Sequence, residues 1–198
     1  NPTGTYNSHE EVHSLLKKVP SSVLVVLDCA YFEYVTKEDY VKPLDLLNEF
    51  DNLLITKTFS KIHGLASIRV GYGIANPSLI EVLNRIRQPF NVNTIAQAMA
   101  CVAINDHEHI RQSIELNSQQ YEFLYNKLLA LGLDCIPSVG NFITFKGNFV
   151  GKEMFNNLMK KGVIVRSVDL YDMKDFIRVT IGTEAENLKF LSALEELL

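Results

Sequence analysis

The run Val23-Leu24-Val25-Val26-Leu27, which stops at Asp28, constrains this chain more than any other feature. Five apolar, mostly β-branched residues in a row show no alternation of polar and apolar positions. The segment therefore reads as a short strand buried on both faces, the kind found inside layered α/β proteins. Leu53 to Thr56 is a second such run, and Ile68 to Ala75 a third that contains Gly71 and Gly73. Helical periods separate the strands. Ser8 and Glu11 form a capping box ahead of Val12, Leu15, Leu16 and Val19, and Asn76-Pro77 is an N-cap with proline in the first turn, ahead of Leu79, Leu83 and Ile86. Short buried strands between amphipathic helices predict an α/β layer architecture.

The character changes after Pro89. From Ile95 the chain favours helix, with a break at Asn105-Asp106, then Ile110, Ile114, Asn117, Tyr121, Leu124 and Leu128 at helical spacing and a stop at Gly132. A strand is expected over Asn141 to Phe145, a helix through Met154, Phe155, Leu158 and Met159 ending at Gly162, and strands over Val163 to Arg166 and Ile177 to Ile181. The last helix opens on a Thr183/Glu186 capping box and carries Phe190, Leu191, Leu194 and Leu198. The expected division is residues 1–95 in one α/β domain and 96–198 in linking helices and a smaller α+β domain. A strand buried on both faces needs neighbours along both edges, and nothing upstream of Val23 supplies one. The chain thus reads as truncated, with Asn1 at a frayed terminus.

Composition narrows the function classes. A net charge of −4 and a pI of 5.7 argue against nucleic acid or an anionic membrane as partner. No apolar stretch reaches the roughly 18 residues of a membrane span, and Asn1-Pro2-Thr3-Gly4-Thr5 lacks the features of a signal peptide. Cys29, Cys101 and Cys135 have no metal-ligand spacing and read as reduced thiols of a cytoplasmic protein.

The chemistry sits in Thr58-Phe59-Ser60-Lys61, with Arg69 eight residues after the lysine. An amine that attacks a carbonyl must be neutral, a state that a nearby cation favours. Two hydroxyls and a guanidinium suit a dianionic phosphate. Alone, the segment reads equally as a solvated surface loop. Asp28 ends a buried strand, where α/β proteins bind ligands, and an acid there can pair with a protonated pyridine nitrogen, with Tyr31 close enough to donate to a phenolic oxygen. Alone, that aspartate reads as a cap on the next turn. Together, the two segments make the bland readings hard to sustain.

Five landmarks occur in order: Asn1-Pro2-Thr3-Gly4, Asp28-Cys29-Ala30-Tyr31, Thr58-Phe59-Ser60-Lys61 running to Arg69, Gly162 to Arg166, and Ile177-Arg178-Val179-Thr180-Ile181-Gly182-Thr183. On these the chain resembles the histidinol-phosphate aminotransferases, within the fold-type I pyridoxal-phosphate enzymes, over its whole length. The resemblance implies the carboxyl-terminal part of the large mixed or parallel-sheet domain followed by the small α+β domain, and pyridoxal 5′-phosphate as cofactor. It implies that Lys61 binds the cofactor as an imine and shuttles the substrate proton, that Asp28 keeps the pyridine nitrogen protonated, that Asn1 and Tyr31 bond its 3′ oxygen, and that Thr58, Ser60 and Arg69 hold its phosphate. Arg178 corresponds to the arginine on the substrate anion and Arg166 to a second one on the substrate phosphate. The plainer alternative for Arg166 is a surface pair with Asp169 or Asp172, which would contribute little. The implied reaction, in histidine biosynthesis, exchanges an amino group between L-histidinol phosphate and 2-oxoglutarate in a homodimer.

An aromatic-amino-acid aminotransferase and a phosphothreonine decarboxylase are rivals on the same scaffold, and an inactive isolated domain is a third. Two positions depart from the family's habit: Cys29 replaces a usual glutamate and Ser67 a common glycine. His63, beside the lysine, reads as a packing residue rather than a base. A complete member is longer, so this piece alone is expected to hold the cofactor poorly and to be inactive.

Overall fold

A computed structural model describes residues 1–198, which divide into two compact units. One is Asn7–Arg111; the other joins Asn1–Tyr6 to Gln112–Leu198. The division therefore falls at Arg111 rather than near residue 95, and the first six residues belong with the carboxyl-terminal unit. Neither feature has a local signal, because both are set by what each segment packs against.

In the first unit α1 (His9–Lys18) starts from the expected capping box: Glu11 N–H donates to Ser8 Oγ at 3.3 Å and Ser8 N–H to Glu11 Oε2 at 2.8 Å. β1 (Val25–Asp28), α2 (Pro43–Leu46) and β2 (Leu53–Thr58) follow. β3 (Gly71–Ala75), α3 (Pro77–Ile86) and α4 (Thr94–Ala103) complete it. The sheet order is β1-β2-β3, parallel between β1 and β2 and antiparallel between β2 and β3. Leu53, Leu54 and Ile55 are all buried, as a strand with two neighbours requires. β1 is not buried on both faces: it pairs along one edge and Val26 is 53% exposed. Leu16, Cys29, Val41, Leu46, Leu53 and Ile55 form the core. The third strand begins at Gly71, not Ile68, because 66–68 curl into a 3-10 turn that leaves Arg69 at φ 56°.

Helix α5 (His107–Ala130) starts after the break at Asn105-Asp106 and runs into the second unit. There β4 (Asp134–Ile136), β5 (Phe142–Lys146), α6 (Gly151–Lys160), β6 (Arg166–Ser167), β7 (Phe176–Thr180) and α7 (Glu184–Glu195) follow. The sheet is antiparallel throughout, in the order β4-β5-β7-β6. Gly132 at φ 77° and Gly162 at φ 74° end α5 and α6 by the left-handed cap predicted for them; Leu133 N–H reaches back to Leu128 O and Val163 N–H to Leu158 O. The expected strand over 163–166 shrinks to Arg166 and Ser167, the two residues that face β7. Phe145, Ile143, Ile177, Leu124, Leu128, Leu158 and Leu194 fill the core between the sheet and its helices.

Candidate active site

Each unit carries one set of the anticipated residues. In the first, Asp28 ends β1 in register with Thr56 on β2, and its Oδ1 accepts the Ala30 N–H at 3.0 Å. That bond shapes the turn after the strand. Cys29 N–H continues the ladder to Thr56 O at 2.9 Å, and Tyr31 then opens a 3-10 turn over Phe32–Tyr34. Cys29, in the place of the usual glutamate, is a core residue, and burial pushes its thiol up to about 11.

The lysine segment leaves β2 through a hydroxyl turn in which Ser60 N–H donates to Thr58 Oγ1 at 3.0 Å. Phe59 and Ile62 point inward and are buried, Gly64 N–H closes on Lys61 O at 2.9 Å, and Leu65 N–H on Phe59 O at 2.9 Å. Lys61 is therefore displayed from a short loop pinned by buried apolar residues on either side. Its Nζ lies 5.2 Å from the centre of the Tyr31 ring. Arg69 folds back over the same loop: Nη1 donates to Ala66 O at 2.8 Å and to Ser60 Oγ at 3.4 Å. Left-handed backbone at a non-glycine residue is uncommon, and here it is what turns the guanidinium onto Ser60. Thr58, Ser60, Lys61 and Arg69 thus lie on one loop, with Tyr31 against the lysine.

His63 is a packing residue. Its ring sits 4.8 Å from that of Phe59, and its buried Nδ1 meets no hydrogen-bonding group. It lines a cavity of about 450 Å³ with Leu65, Met99, Val102 and His109, which none of the anticipated site residues borders. Two contributors carried no sequence signal. His109, at the start of α5, bonds Ile62 O at 2.8 Å through Nε2 and ties down the lysine loop. Lys57 on β2 meets Glu33 at 2.6 Å, linking the turn after β1 to the strand that leads to the lysine.

In the second unit Arg166 and Arg178 are direct partners across β6 and β7. Arg178 lies with its guanidinium 4.4 Å from the Phe142 ring centre, and its Nη1 donates to Asn1 Oδ1 at 2.8 Å. Asn1 is not frayed. Pro2 O accepts the hydroxyl of the fully buried Thr144 at 2.8 Å, and Gly4 O accepts the Val139 N–H at 2.9 Å. Gly4, at φ 88°, has no room for a Cβ because the Ser138 side chain occupies that space. Asn1 and Arg178 are therefore brought together within the second unit. Of the two acids near Arg166 in sequence, Asp169 takes the Ser167 hydroxyl at 2.5 Å, which holds its carboxyl below the usual carboxylate range. Like charges directly opposite each other in a sheet repel, and an anion between them relieves the repulsion.

Comparison with known proteins gives a consistent result. The family described as Aminotransferase class I and II matches residues 1–194. The histidinol-phosphate aminotransferase of Caldicellulosiruptor saccharolyticus is 46% identical over all 198 residues of this chain, which correspond to 55% of that protein. That of Methylobacillus flagellatus is 48% identical over the whole chain and 54% of the relative. Among solved structures, the histidinol-phosphate aminotransferase of Sinorhizobium meliloti in complex with pyridoxal-5′-phosphate matches with a TM-score of 0.92 at 26% identity, covering 100% of this chain and 54% of that one. The chain spans about half the length of the curated relatives it matches.

Proposed function

Because this chain belongs to the class I and II aminotransferase family, we propose that it is part of a transaminase that exchanges an amino group between L-histidinol phosphate and 2-oxoglutarate. Pyridoxal 5′-phosphate is its cofactor, and Lys61 the residue that binds it. The observation that carries the reading is the loop on which Arg69 Nη1 meets Ser60 Oγ at 3.4 Å while the Lys61 amine lies against Tyr31 at 5.2 Å. The donor set fits the cofactor. Two hydroxyls and a guanidinium suit its phosphate, a carboxylate at the end of β1 suits a protonated ring nitrogen, and an amine stands between them in sequence and on the same unit.

When bound, pyridoxal phosphate supplies an aldehyde that captures amines and a ring that withdraws electrons from the substrate carbon. The chain's own groups do the rest. Thr58, Ser60 and Arg69 hold the phosphate dianion. Asp28, with Oδ1 already oriented by the Ala30 amide, keeps a positive charge on the ring nitrogen. Tyr31 would donate a hydrogen bond from its hydroxyl to the 3′ oxygen. Lys61, once its amine is free, would act as general base to the proton on the amine-bearing carbon of the substrate and then as general acid to the cofactor's aldehyde carbon on the other side of the nitrogen.

Arg178 takes the anionic end of each substrate, and Asn1 aims it by accepting from Nη1. Arg166, opposite Arg178, adds the second cation that a phosphate dianion favours over a single carboxylate. The full-length polypeptide works as a cytoplasmic homodimer on small amino and keto substrates, with neither nucleic acid nor membrane as partner. No helix is long and apolar enough to cross a membrane.

The test is spectroscopic. The full-length protein with pyridoxal phosphate shows a near-visible absorption band that borohydride bleaches irreversibly, and Lys61→Ala lacks it. A Lys61→Ala protein that still carries the reducible band refutes the assignment.

A further inference from the structure

Lys57 is the residue before Thr58 on β2, and strand alternation turns its side chain to the opposite face, the one that carries Leu53 and Ile55. Its ammonium is therefore directed away from the hydroxyl of Thr58. On that face Nζ meets Glu33 Oε1 at 2.6 Å and lies 4.2 Å from the Phe32 ring centre, and both charged side chains are only 18% exposed. Covered to this degree, the pair is more than the solvated surface contact that contributes little, and loss of either member strands the other charge in a poorly hydrated place.

Glu33 and Phe32 belong to the 3-10 turn that Tyr31 opens. One ladder bond, Cys29 N–H to Thr56 O, starts that turn from β2, and the turn closes with Tyr34 N–H to Tyr31 O at 3.1 Å and Val35 N–H to Phe32 O at 3.2 Å. The ion pair ties the turn to β2 again beyond that bond, on the residue immediately before the hydroxyl turn that displays Lys61. A single strand thus locates Tyr31 through Lys57 and Lys61 through Thr58.

We infer that Lys57 and Glu33 are a positioning pair that sets the Tyr31 phenol against the Lys61 amine. The inference rests on the reading of Lys61 as the cofactor lysine. With the pair broken, the turn keeps its packing through Phe32 but loses its tie to the strand that leads to Lys61, and Tyr31 no longer holds its place against the 3′ oxygen. A hydroxyl donated to that oxygen would stabilise its negative charge and so favour the deprotonated form of the bound cofactor. Loss of the donor raises the pH at which the bound cofactor changes colour.

The experiment uses the full-length protein with three substitutions: Glu33→Gln, Lys57→Arg, and Glu33→Gln combined with Lys57→Met. The last leaves no unpaired charge and guards against a variant that fails to fold. Three quantities are read: amide exchange at Tyr34 and Val35 without cofactor, the dissociation constant for pyridoxal phosphate, and the pH midpoint of its visible absorption. Glu33→Gln and the double variant are expected to exchange faster at both amides, bind the cofactor on the order of tenfold more weakly, and show a raised midpoint. Lys57→Arg, which keeps the ion pair and the contact with Phe32, is expected to match the parent in all three. Unchanged midpoint and affinity in the two disrupted variants, even with a lower melting temperature, would reduce the pair to a structural contact and overturn the inference. That outcome is separable from failure of the cofactor assignment, which only a reducible band in Lys61→Ala would bring down.

Discussion

Replacing Arg166 by alanine tests the anion-binding half of the proposal, because it acts with opposite sign on binding and on stability. In the protein without substrate, Arg166 and Arg178 face each other across two adjacent strands, so removing one guanidinium removes a repulsion. Arg166 is exposed and sits on a strand of two residues, so little packing is lost. The melting temperature should stay level or rise slightly. With a phosphorylated amine bound, the same change removes one charge-assisted contact, a loss of roughly 1.5–3 kcal/mol, or about 10- to 150-fold in kcat/KM. Arg178 cannot make up the difference, since Nη1 is held by Asn1 and its face by Phe142.

The assay is steady-state transamination by the full-length Arg166→Ala protein, comparing L-histidinol phosphate with a phosphate-free amino acid as donor. Arg178→Ala serves as the companion and should impair both donors and the 2-oxoglutarate half-reaction. Equal losses for phosphorylated and unphosphorylated donors in Arg166→Ala would refute the phosphate role and favour an aromatic-amino-acid aminotransferase.

Two further outcomes follow from groups outside the site. Thr183 caps α7, and its hydroxyl and backbone N–H hold the Glu186 carboxyl below its ordinary value. A lowered carboxyl stabilises the fold fully above its unfolded value, and that contribution fades as acid protonates it. Thr183→Ala is therefore expected to lose about 1 kcal/mol at neutral pH and progressively less in thermal melts taken below about pH 4; a gap that widens in acid would contradict this. The three thiols should also separate. Cys101 is exposed and should react quickly with a thiol reagent, whereas burial pushes Cys29 and Cys135 each to about 11 and should keep both unreactive until the protein unfolds. More than one fast thiol in the native protein would show that the core around Cys29 or Cys135 opens readily.

Much of this molecule was legible one segment at a time, because the forces involved act over a few residues. The Ser8/Glu11 and Thr183/Glu186 boxes, the left-handed stops at Gly132 and Gly162 and the break before His107 depend on backbone groups within a turn of each other. The continuous apolar run at Leu53 announced a strand with two neighbours, and Thr58, Ser60, Lys61 and Arg69 were recognisable as a set because they share one short loop.

What the sequence could not disclose depends on which segments meet. The docking of Asn1 on Arg178 joins residues 177 positions apart, and the register that sets Arg166 opposite Arg178 comes from the pairing of β6 with β7. Glu33 reaches Lys57 because two parallel strands align, and His109 reaches the lysine loop across 47 residues. The boundary at Arg111, the shortened β6 and the one-sided burial of β1 have the same origin. Capping and periodicity are energies of a chain with itself over one turn. Pairing, burial and charge proximity are energies between surfaces, and only the completed packing decides which surfaces those are.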